Sequence, residues 1–304
     1  MNPTAPGIVA LVATYKRPEL LRRLLQSLEE STVPARVVVV DNGCDAETES
    51  VTRSSSLETY YIPNPDNLGV GGGLAKGEQF ILEKLTFSHL LVMDDDTVVY
   101  PDALELLYEA MRKHCAEMAV PAILTEKEEL WWSPGVKDRA RFALLHRKTP
   151  YTAFVERFGL EAVPVTWCTG IAMMVSRKAL LQCGLHRDIF WIRGEDLDFS
   201  LRVSQRFPSL FVPGARVKHL PPKSSMTSLP ERQAEYLKHQ AMLQNICYLI
   251  FRCPHGYPIL KHLPGNYLRF FKIWGLRSLP KGLRTFWRGA ILGRPFGADR
   301  KTSP

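Results

Sequence analysis

Leu90-Leu91-Val92-Met93-Asp94-Asp95-Asp96 is the most telling segment of the sequence. Its four apolar residues are too few for a helix and suit a buried strand, and the run stops on three carboxylates. Three adjacent acids repel one another, and a strand end offers no obvious reason to tolerate them. A divalent cation removes the penalty, since Mg2+ or Mn2+ takes hard oxygen ligands from a few carboxylates and from substrate phosphates. In an extended segment Asp94 and Asp96 point to the same side, so both can face one ion. For such a triplet taken alone, a solvated acidic turn is the plain alternative.

Outward from this segment, the first hundred residues alternate. Ile8–Val12 and Val37–Val40 are further short apolar runs, and Thr59–Ile62 is a weaker one stopped by Pro63. Pro18–Glu30 carries leucines at 20, 21, 24, 25 and 28, a helical spacing. A glycine-rich turn at Gly69–Gly73 is expected to lead into a helix over Leu74–Leu85. Strand–helix alternation implies an α/β fold, a mostly parallel sheet with helices on both faces. Ligands bind beyond the carboxyl ends of such strands. Three runs end in useful chemistry there, at Thr14-Tyr15-Lys16-Arg17-Pro18, Asp41-Asn42-Gly43 and Asp94-Asp95-Asp96.

The glycines at 69, 71, 72, 73 and 77 do not satisfy G-x-G-x-x-G, and no G-K-[ST] follows. Neither a dinucleotide fingerprint nor a Walker loop is present. What remains is a turn where backbone can approach a ligand, or a plain turn. Further on, Glu195-Asp196-Leu197-Asp198-Phe199-Ser200-Leu201-Arg202 reads as the first turns of a helix. The helix dipole favours acids there. Adjacent side chains on a helix diverge by about 100°, so one of Glu195 and Asp196 faces any given ligand.

Size and composition set the bounds. The 304 residues suit one large domain or a domain with an appendage, and 45% hydrophobic content is ample for a core. No apolar run approaches the roughly 18 residues needed to span a bilayer. Met1–Gly7 lacks a basic stretch and an apolar core, which predicts no secretory leader. The six cysteines are scattered without a C-x-x-C pair, which argues against a disulfide framework or zinc site and fits a reducing cytoplasm. The net charge of +8 is uneven: residues 256–304 hold ten Lys or Arg and one acid, and the rest of the chain is close to neutral. A basic tail suggests an anionic partner, membrane lipid or nucleic acid.

The ordered set Thr14–Pro18, Val40-Asp41-Asn42-Gly43, Asn67-Leu68-Gly69, Asp94–Asp96 and Gly194-Glu195-Asp196 resembles the family-2 inverting glycosyltransferases, across about residues 7–222. That resemblance implies a GT-A fold, a Rossmann-like sheet extended by a smaller acceptor-binding part. Within the family, Phe190-Trp191-Ile192-Arg193-Gly194-Glu195-Asp196 looks closest to bacterial galactofuranosyltransferases and rhamnosyltransferases of envelope glycan assembly, including O-antigen. The galactofuranosyl polymerases carry W-D-D where this chain has Gly194-Glu195-Asp196. The resemblance implies transfer from a nucleotide-diphosphate sugar, UDP-galactofuranose first and dTDP-rhamnose as the alternative, to a lipid-linked or oligosaccharide acceptor. Thr14 and Arg17 would line the diphosphate pocket, and Asp41 would meet the base or ribose. Asn67, Gly71, Gly72 and Lys76 would support the nucleotide or sugar. Asp94 and Asp96 would hold Mn2+ or Mg2+, with Asp95 toward the ribose or donor sugar and His219 as a third metal ligand, a structural histidine being the alternative. Asp196 is the first choice for general base and Glu195 the second. Intact acids at both places speak against a non-catalytic sugar-binding protein; the Glu195-Asp196 motif and the neutral body speak against a nucleotidyltransferase or nucleic-acid-binding protein.

Trp167 and Trp191 are candidates for sugar stacking or for core packing, and Trp131-Trp132 for a lid or acceptor wall. The expected organisation is a catalytic domain over residues 1–225, with a nucleotide-sugar half to about 125 and an acceptor half beyond, then a helical basic region over 226–304. In that region Glu231–Phe251 reads as a long helix burying Tyr236, Leu237, Leu243, Ile246, Leu249 and Ile250. Beyond Pro264, aromatics interleave with Arg and Lys, which suits an interfacial helix on anionic lipid and would also suit RNA. The glycosyltransferase resemblance favours lipid, a peripheral location at the inner membrane face, and no nucleic acid.

Overall fold

The computed structural model describes residues 7–131, 134–137, 148–221, 229–275 and 278–296. Trp132, Arg277 and much of the loop between Trp131 and Lys148 lie outside these residues. Among the described residues nine strands form one sheet, in the order β3-β2-β1-β4-β8-β6-β9-β5, with β7 beside β9. Strands β1 (Ile8–Thr14), β2 (Ala35–Asp41), β3 (Thr59–Pro63) and β4 (His89–Asp94) make its parallel half. The other half is mixed, built from β5 (Thr97–Val99), β6 (Met118–Leu124), β7 (Val163–Pro164), β8 (Ala172–Ser176) and β9 (Ser209–His219). This is the sheet arrangement that the family resemblance leads one to expect.

Alternation along the strands sends side chains to opposite faces, and each face has its own helices. Ile8, Ala10 and Val12 pack with Leu21, Leu24, Leu25 and Leu28 of α1 (Pro18–Glu29) and Leu104 and Leu107 of α4 (Ala103–Lys113). Each buried leucine is worth about 1.5–3 kcal/mol over exposure. Val9 and Leu11 face the other way, onto Leu74 and Ile81 of α3 (Gly69–Lys84). Ala179 and Leu180 of α6 (Arg177–Cys183) and Phe199 of α7 (Glu195–Arg206) complete that layer. The remaining helices of this part are α2 (Ala46–Arg53) and α5 (Tyr151–Phe158).

Where a turn was expected over Gly69–Gly73, the chain is already helical, and α3 starts at Gly69 rather than Leu74. Low intrinsic propensity misleads here, because these glycines serve close packing. A Cβ on Gly71 would sit 2.3 Å from the Phe190 carbonyl oxygen, and one on Gly77 would sit 2.3 Å from Leu11 Cδ1. Gly69 adopts φ +71°, with the Trp191 carbonyl 2.1 Å from where its Cβ would be.

The C-terminal region is helical: α8 (Leu229–Arg252), a 3-10 segment Pro254–His262, α9 (Leu263–Trp274), α10 (Leu279–Phe286) and a π-type turn Trp287–Ile291. Ile246 and Leu249 of α8 share a core cluster with Phe190, Leu197 and Leu201, so α8 packs against α7. Leu243, Ile246 and Leu249 are buried as expected, but Leu237 is 39% exposed, because the N-terminal part of α8 lines a groove. The aromatics of the tail divide. Phe270 is buried and Tyr267, Phe271, Trp274 and Phe286 are half-buried, whereas Trp287 is exposed. No helix among the described residues is long and apolar enough to cross a membrane.

Candidate active site

Sheet register assembles the first half of the site. Thr14 pairs with Asp41 across β1–β2, and Ala13 pairs with Asp94 across β1–β4, so the three strand ends share one edge. The Thr14 hydroxyl donates to Asp95 Oδ2 at 2.7 Å, and Arg17 Nη1 donates to Asp95 Oδ1 at 3.1 Å. Arg17 also stands 3.6 Å from Asp96 Oδ2. Burial pushes the Asp95 carboxyl upward despite Arg17 and Thr14. Burial opposes the charge on Asp96 as well, but His219 and Arg17 outweigh it and hold Asp96 below the usual carboxylate range.

His219 arrives from β9, where the antiparallel pairing with β5 sets it opposite Thr97. Its Nε2 lies 3.1 Å from Asp96 Oδ1, and the Trp131 ring meets it edge-on with centroids 4.9 Å apart. One ligand atom each from Asp94, Asp96 and His219 lie within 4.8 Å of one another. Asp94 is pushed up to about 7 by burial and then by Asp96, against the pull of His219. His219 Nδ1 is enclosed and makes no hydrogen bond among the described residues. Mutually repelling carboxylates beside an imidazole fit a divalent cation. The imidazole suits Mn2+ better than Mg2+, which prefers an all-oxygen shell.

The second half of the site is the start of α7. Gly194 takes φ +108° as its N-cap, and Glu195 and Asp196 follow in the first turn. Asp196 is half-buried, and its Oδ2 accepts from the Gly170 backbone N–H at 3.2 Å. Glu195 turns inward; its Oε2 is enclosed without a partner, and burial followed by the charges of Asp196 and Asp94 raises its carboxyl well above the ordinary range. Asp94, Glu195, Asp196 and Gly170 line one narrow cleft, so the acidic strand end and the acidic helix start face each other.

Other expected residues sit near this edge in different roles. Asp41 is fully buried, accepting from the Gly43 and Asp45 backbone N–H groups and the Tyr61 hydroxyl, and thereby holds the β2–α2 turn. Asn67 Oδ1 accepts from the Gly69 N–H, and the Val70 N–H donates to the Trp191 carbonyl. Gly71 and Gly72 lie inside the helix, and Lys76 Nζ is drawn to Pro63 O and Asn64 Oδ1 rather than to the aspartates. The Trp191 indole donates to Asn67 O, and Trp191 packs across the start of α3. Trp167 is half-buried against the α7–α8 cluster and the Gly135 backbone.

Two groups of residues escaped the sequence reading. Asn245 of α8 is buried; its Nδ2 donates to the carbonyls of Ile192 and Arg193, and its Oδ1 accepts from the Phe296 N–H. It thus holds the loop that presents Glu195 and Asp196. Asp198, fully buried, is met by Arg187, Arg202 and His255 at 2.9 Å each. Cys253 and His255 approach Asp198 closely enough to suggest ligands, yet two guanidinium groups already neutralise the carboxylate, and the cluster fastens α7 to the 3-10 segment. Apart from the i,i+4 pair Asp198–Arg202, separations of eleven residues or more leave no local sequence signal for either group.

A parallel half-sheet ending in carboxylates, faced by a second acidic pair on a helix start, defines the nucleotide-sugar class of GT-A folds. The chain belongs to the glycosyltransferase like family 2, whose sequence model matches residues 6–237. It is similar to the low-salt glycan biosynthesis hexosyltransferase Agl10 of Haloferax volcanii, at 22% identity over 201 residues, 63% of this chain and 60% of that protein. It is also similar to the N-acetylglucosaminyl-diphospho-decaprenol L-rhamnosyltransferase of Mycobacterium tuberculosis, at 24% identity over 228 residues, 69% of this chain and 74% of that one. The chain therefore spans about 60% of the length of the archaeal relative. Among solved structures, the mannosyltransferase PcManGT of Pyrobaculum calidifontis with GDP-Man and Mn2+ superposes with TM-score 0.56 at 16% identity, over 98% of this chain and 76% of that one. GalNAc-T7 with UDP, GalNAc and Mn2+ gives 0.56 at 16% identity, over 90% and 58%. At such identities the likeness is one of fold.

Proposed function

We propose that this protein is an inverting, metal-assisted glycosyltransferase that moves a sugar from a nucleotide diphosphate to an acceptor held at a membrane surface. The observation that carries the reading is the cleft in which Asp94, clustered with Asp96 and His219, faces Glu195 and Asp196. Arg17, fixed by Asp95 at the mouth of the strand edge, is placed to meet the donor diphosphate. Mn2+, when held by Asp94, Asp96 and His219, would supply positive charge where the departing diphosphate develops negative charge. Asp196 takes the proton from the acceptor hydroxyl, since it is the more open acid and its Gly170 contact fixes its orientation. Glu195, buried and with its carboxyl raised above the ordinary range by that burial, stands behind it as support.

The donors the family resemblance implies are UDP-galactofuranose and dTDP-rhamnose, and the similarity to an L-rhamnosyltransferase supports the second. Membrane docking is supported by an apolar stripe on α10 and the turn after it: Leu279, Leu283, Trp287 and Ile291 are 45, 62, 55 and 44% exposed at four-residue spacing. Lys281, Arg284 and Arg288 interleave with it. Release of nucleotide diphosphate from a panel of nucleotide sugars, with and without Mn2+, tests the reading. Metal-dependent release from one donor is expected; no release from any donor overturns it.

A further inference from the structure

His219 lacks the support that a metal-binding histidine usually has. A ligating imidazole is normally oriented by a hydrogen bond from its second ring nitrogen to a carboxylate or a carbonyl. The Nε2 of His219 faces Asp96 Oδ1 at 3.1 Å, while Nδ1 is enclosed and makes no hydrogen bond among the described residues. The outer torsion of a histidine side chain is broad, so the strand backbone does not fix the ring by itself. What meets the ring is Trp131, edge-on, with centroids 4.9 Å apart and the planes inclined by 73°.

A short hairpin closing on the end of β6 brings Trp131 there. Leu130 bridges back to Leu124, and the Trp131 N–H donates to the Ile123 carbonyl at 2.8 Å. The turn between the two limbs is tight: the Glu128 N–H donates to the Thr125 carbonyl at 3.1 Å, and Glu128 takes φ +57°. A residue other than glycine is rarely left-handed, and its surroundings must hold it so. Here they belong to β9 and its neighbour. The Glu128 carboxylate receives Lys218 Nζ at 2.5 Å and the Tyr100 hydroxyl at 2.7 Å, and the Arg216 guanidinium lies 4.2 Å from the Tyr100 ring centroid.

Lys218 and His219 are successive residues of one strand, so their side chains leave on opposite faces. The hairpin therefore straddles the strand end: Glu128 grips Lys218 on one face, and Trp131 covers His219 on the other. Register sets the reach of this clamp, because β6 pairs with β9 at Ile123–Val217 and Leu124–Lys218, immediately before the histidine. Trp131 itself stays 37% exposed, more open than a ring whose task is to fill a core.

We propose that Trp131 is a positioning residue for the metal site; this rests on the metal-assisted reading above. Its ring takes over the orienting role of a hydrogen bond and holds the His219 imidazole with Nε2 turned toward Asp96. The hairpin from Thr125 to Trp131 is thereby part of the metal centre, although none of its atoms is a ligand.

The test measures Mn2+ affinity itself. Free Mn2+ is followed by electron paramagnetic resonance as the full chain is titrated, with dTDP or UDP at a fixed concentration and a nucleotide-only blank. Trp131→Ala and the bulkier Trp131→Leu should each weaken Mn2+ binding by about tenfold, the low end of what lost outer-shell support costs. Trp131→Phe, which keeps an aromatic edge, should recover most of the loss. The decisive arm combines Trp131→Leu with His219→Gln. Once the imidazole is gone its support has nothing to hold, so the double variant should bind Mn2+ as His219→Gln does alone. A loss that repeats in full on the His219→Gln background marks a general packing defect and overturns the proposal. Equal affinity in wild type and both Trp131 variants, with His219→Gln still impaired, overturns it as well and leaves the metal reading standing. A wild type that binds no Mn2+ beyond the blank sinks the metal reading and this proposal together.

Discussion

His219 Nε2 stands 3.1 Å from Asp96 Oδ1, although 123 residues separate the two in sequence. A three-residue strand makes the contact possible, because β5 starts immediately after Asp96 and pairs Thr97 with His219. The Leu220 N–H donates to the Asp96 carbonyl at 2.7 Å and fixes the register beyond the pair. A metal site assembled this way should fail in a graded manner. Asp96→Ala should abolish transfer, and His219→Gln should mainly weaken Mn2+ binding, by about 10–100-fold. Mn2+ titration of donor hydrolysis measures both; full turnover of either variant in excess EDTA contradicts the site.

The two acids of α7 should separate by chemistry. Asp196→Asn keeps shape and removes the proposed base, so transfer should drop by about 10²–10⁴-fold with donor affinity retained. Glu195→Gln mimics the protonated acid that burial already favours and should cost much less. A wild-type rate for Asp196→Asn together with a dead Glu195→Gln would exchange their roles.

Close packing of α3 makes Gly71 sensitive. The Cβ of Gly71→Ala would lie 2.3 Å from a backbone oxygen, which cannot rotate away as a side chain can. Stability should fall by about 1–3 kcal/mol, and displacement of the 187–191 loop should raise the donor KM. Chemical denaturation and donor kinetics read the two effects, and an unchanged denaturation midpoint would contradict the packing role.

The Asp198 cluster predicts a pH response. Burial works against the charge on His255, but Asp198 and Cys253 outweigh it and raise its pKa to about 9. Because this lies above the unfolded value, the stabilisation is complete below about pH 6.5 and fades as the pH climbs through about 9, a loss on the order of 2 kcal/mol. Thermal melts from pH 6 to 9.5 should show a decline that His255→Gln flattens. Parallel declines in the two proteins would remove His255 from the account.

Membrane docking through the α10 stripe predicts that Leu283→Gln with Trp287→Gln releases the protein from anionic vesicles. Raised salt should release the wild type in part, as basic residues near such a surface contribute about 1 kcal/mol each. Cosedimentation gives the result, and equal pelleting of variant and wild type would exclude the stripe. These exposed substitutions are a sharper probe than truncation before Pro264, since Phe270 is buried and Gly289 packs against the Gln244 carbonyl.

The parallel half of the sheet was legible because each strand is a short apolar run ending in polar residues, and the same ends carried Thr14, Asp41 and Asp94. The Glu195-Asp196 helix start was legible from its pattern of acids and apolar residues. Gly69–Gly73 was misread because helix propensity is a local quantity, whereas Gly69 and Gly71 answer to Trp191 and Phe190, more than a hundred residues away. Leu237 was expected inside on apolar character, yet it borders a groove lined by polar and basic side chains of α8 and of the helices after it. Asn245 and the Asp198 cluster were invisible for the same reason: an amide or a histidine in a helical run signals nothing until the fold names its neighbours.

Asn245 also bears on how this protein can be re-engineered. One side chain reads the backbone on both sides of it, the acid-bearing loop at Ile192 and Arg193 and the distal segment at Phe296. The C-terminal helices are consequently not a detachable cassette. A chimaera that borrows this region from another glycosyltransferase inherits a catalytic loop cut to fit a different support, and it will transfer sugar only where the borrowed helix offers an amide at the equivalent place.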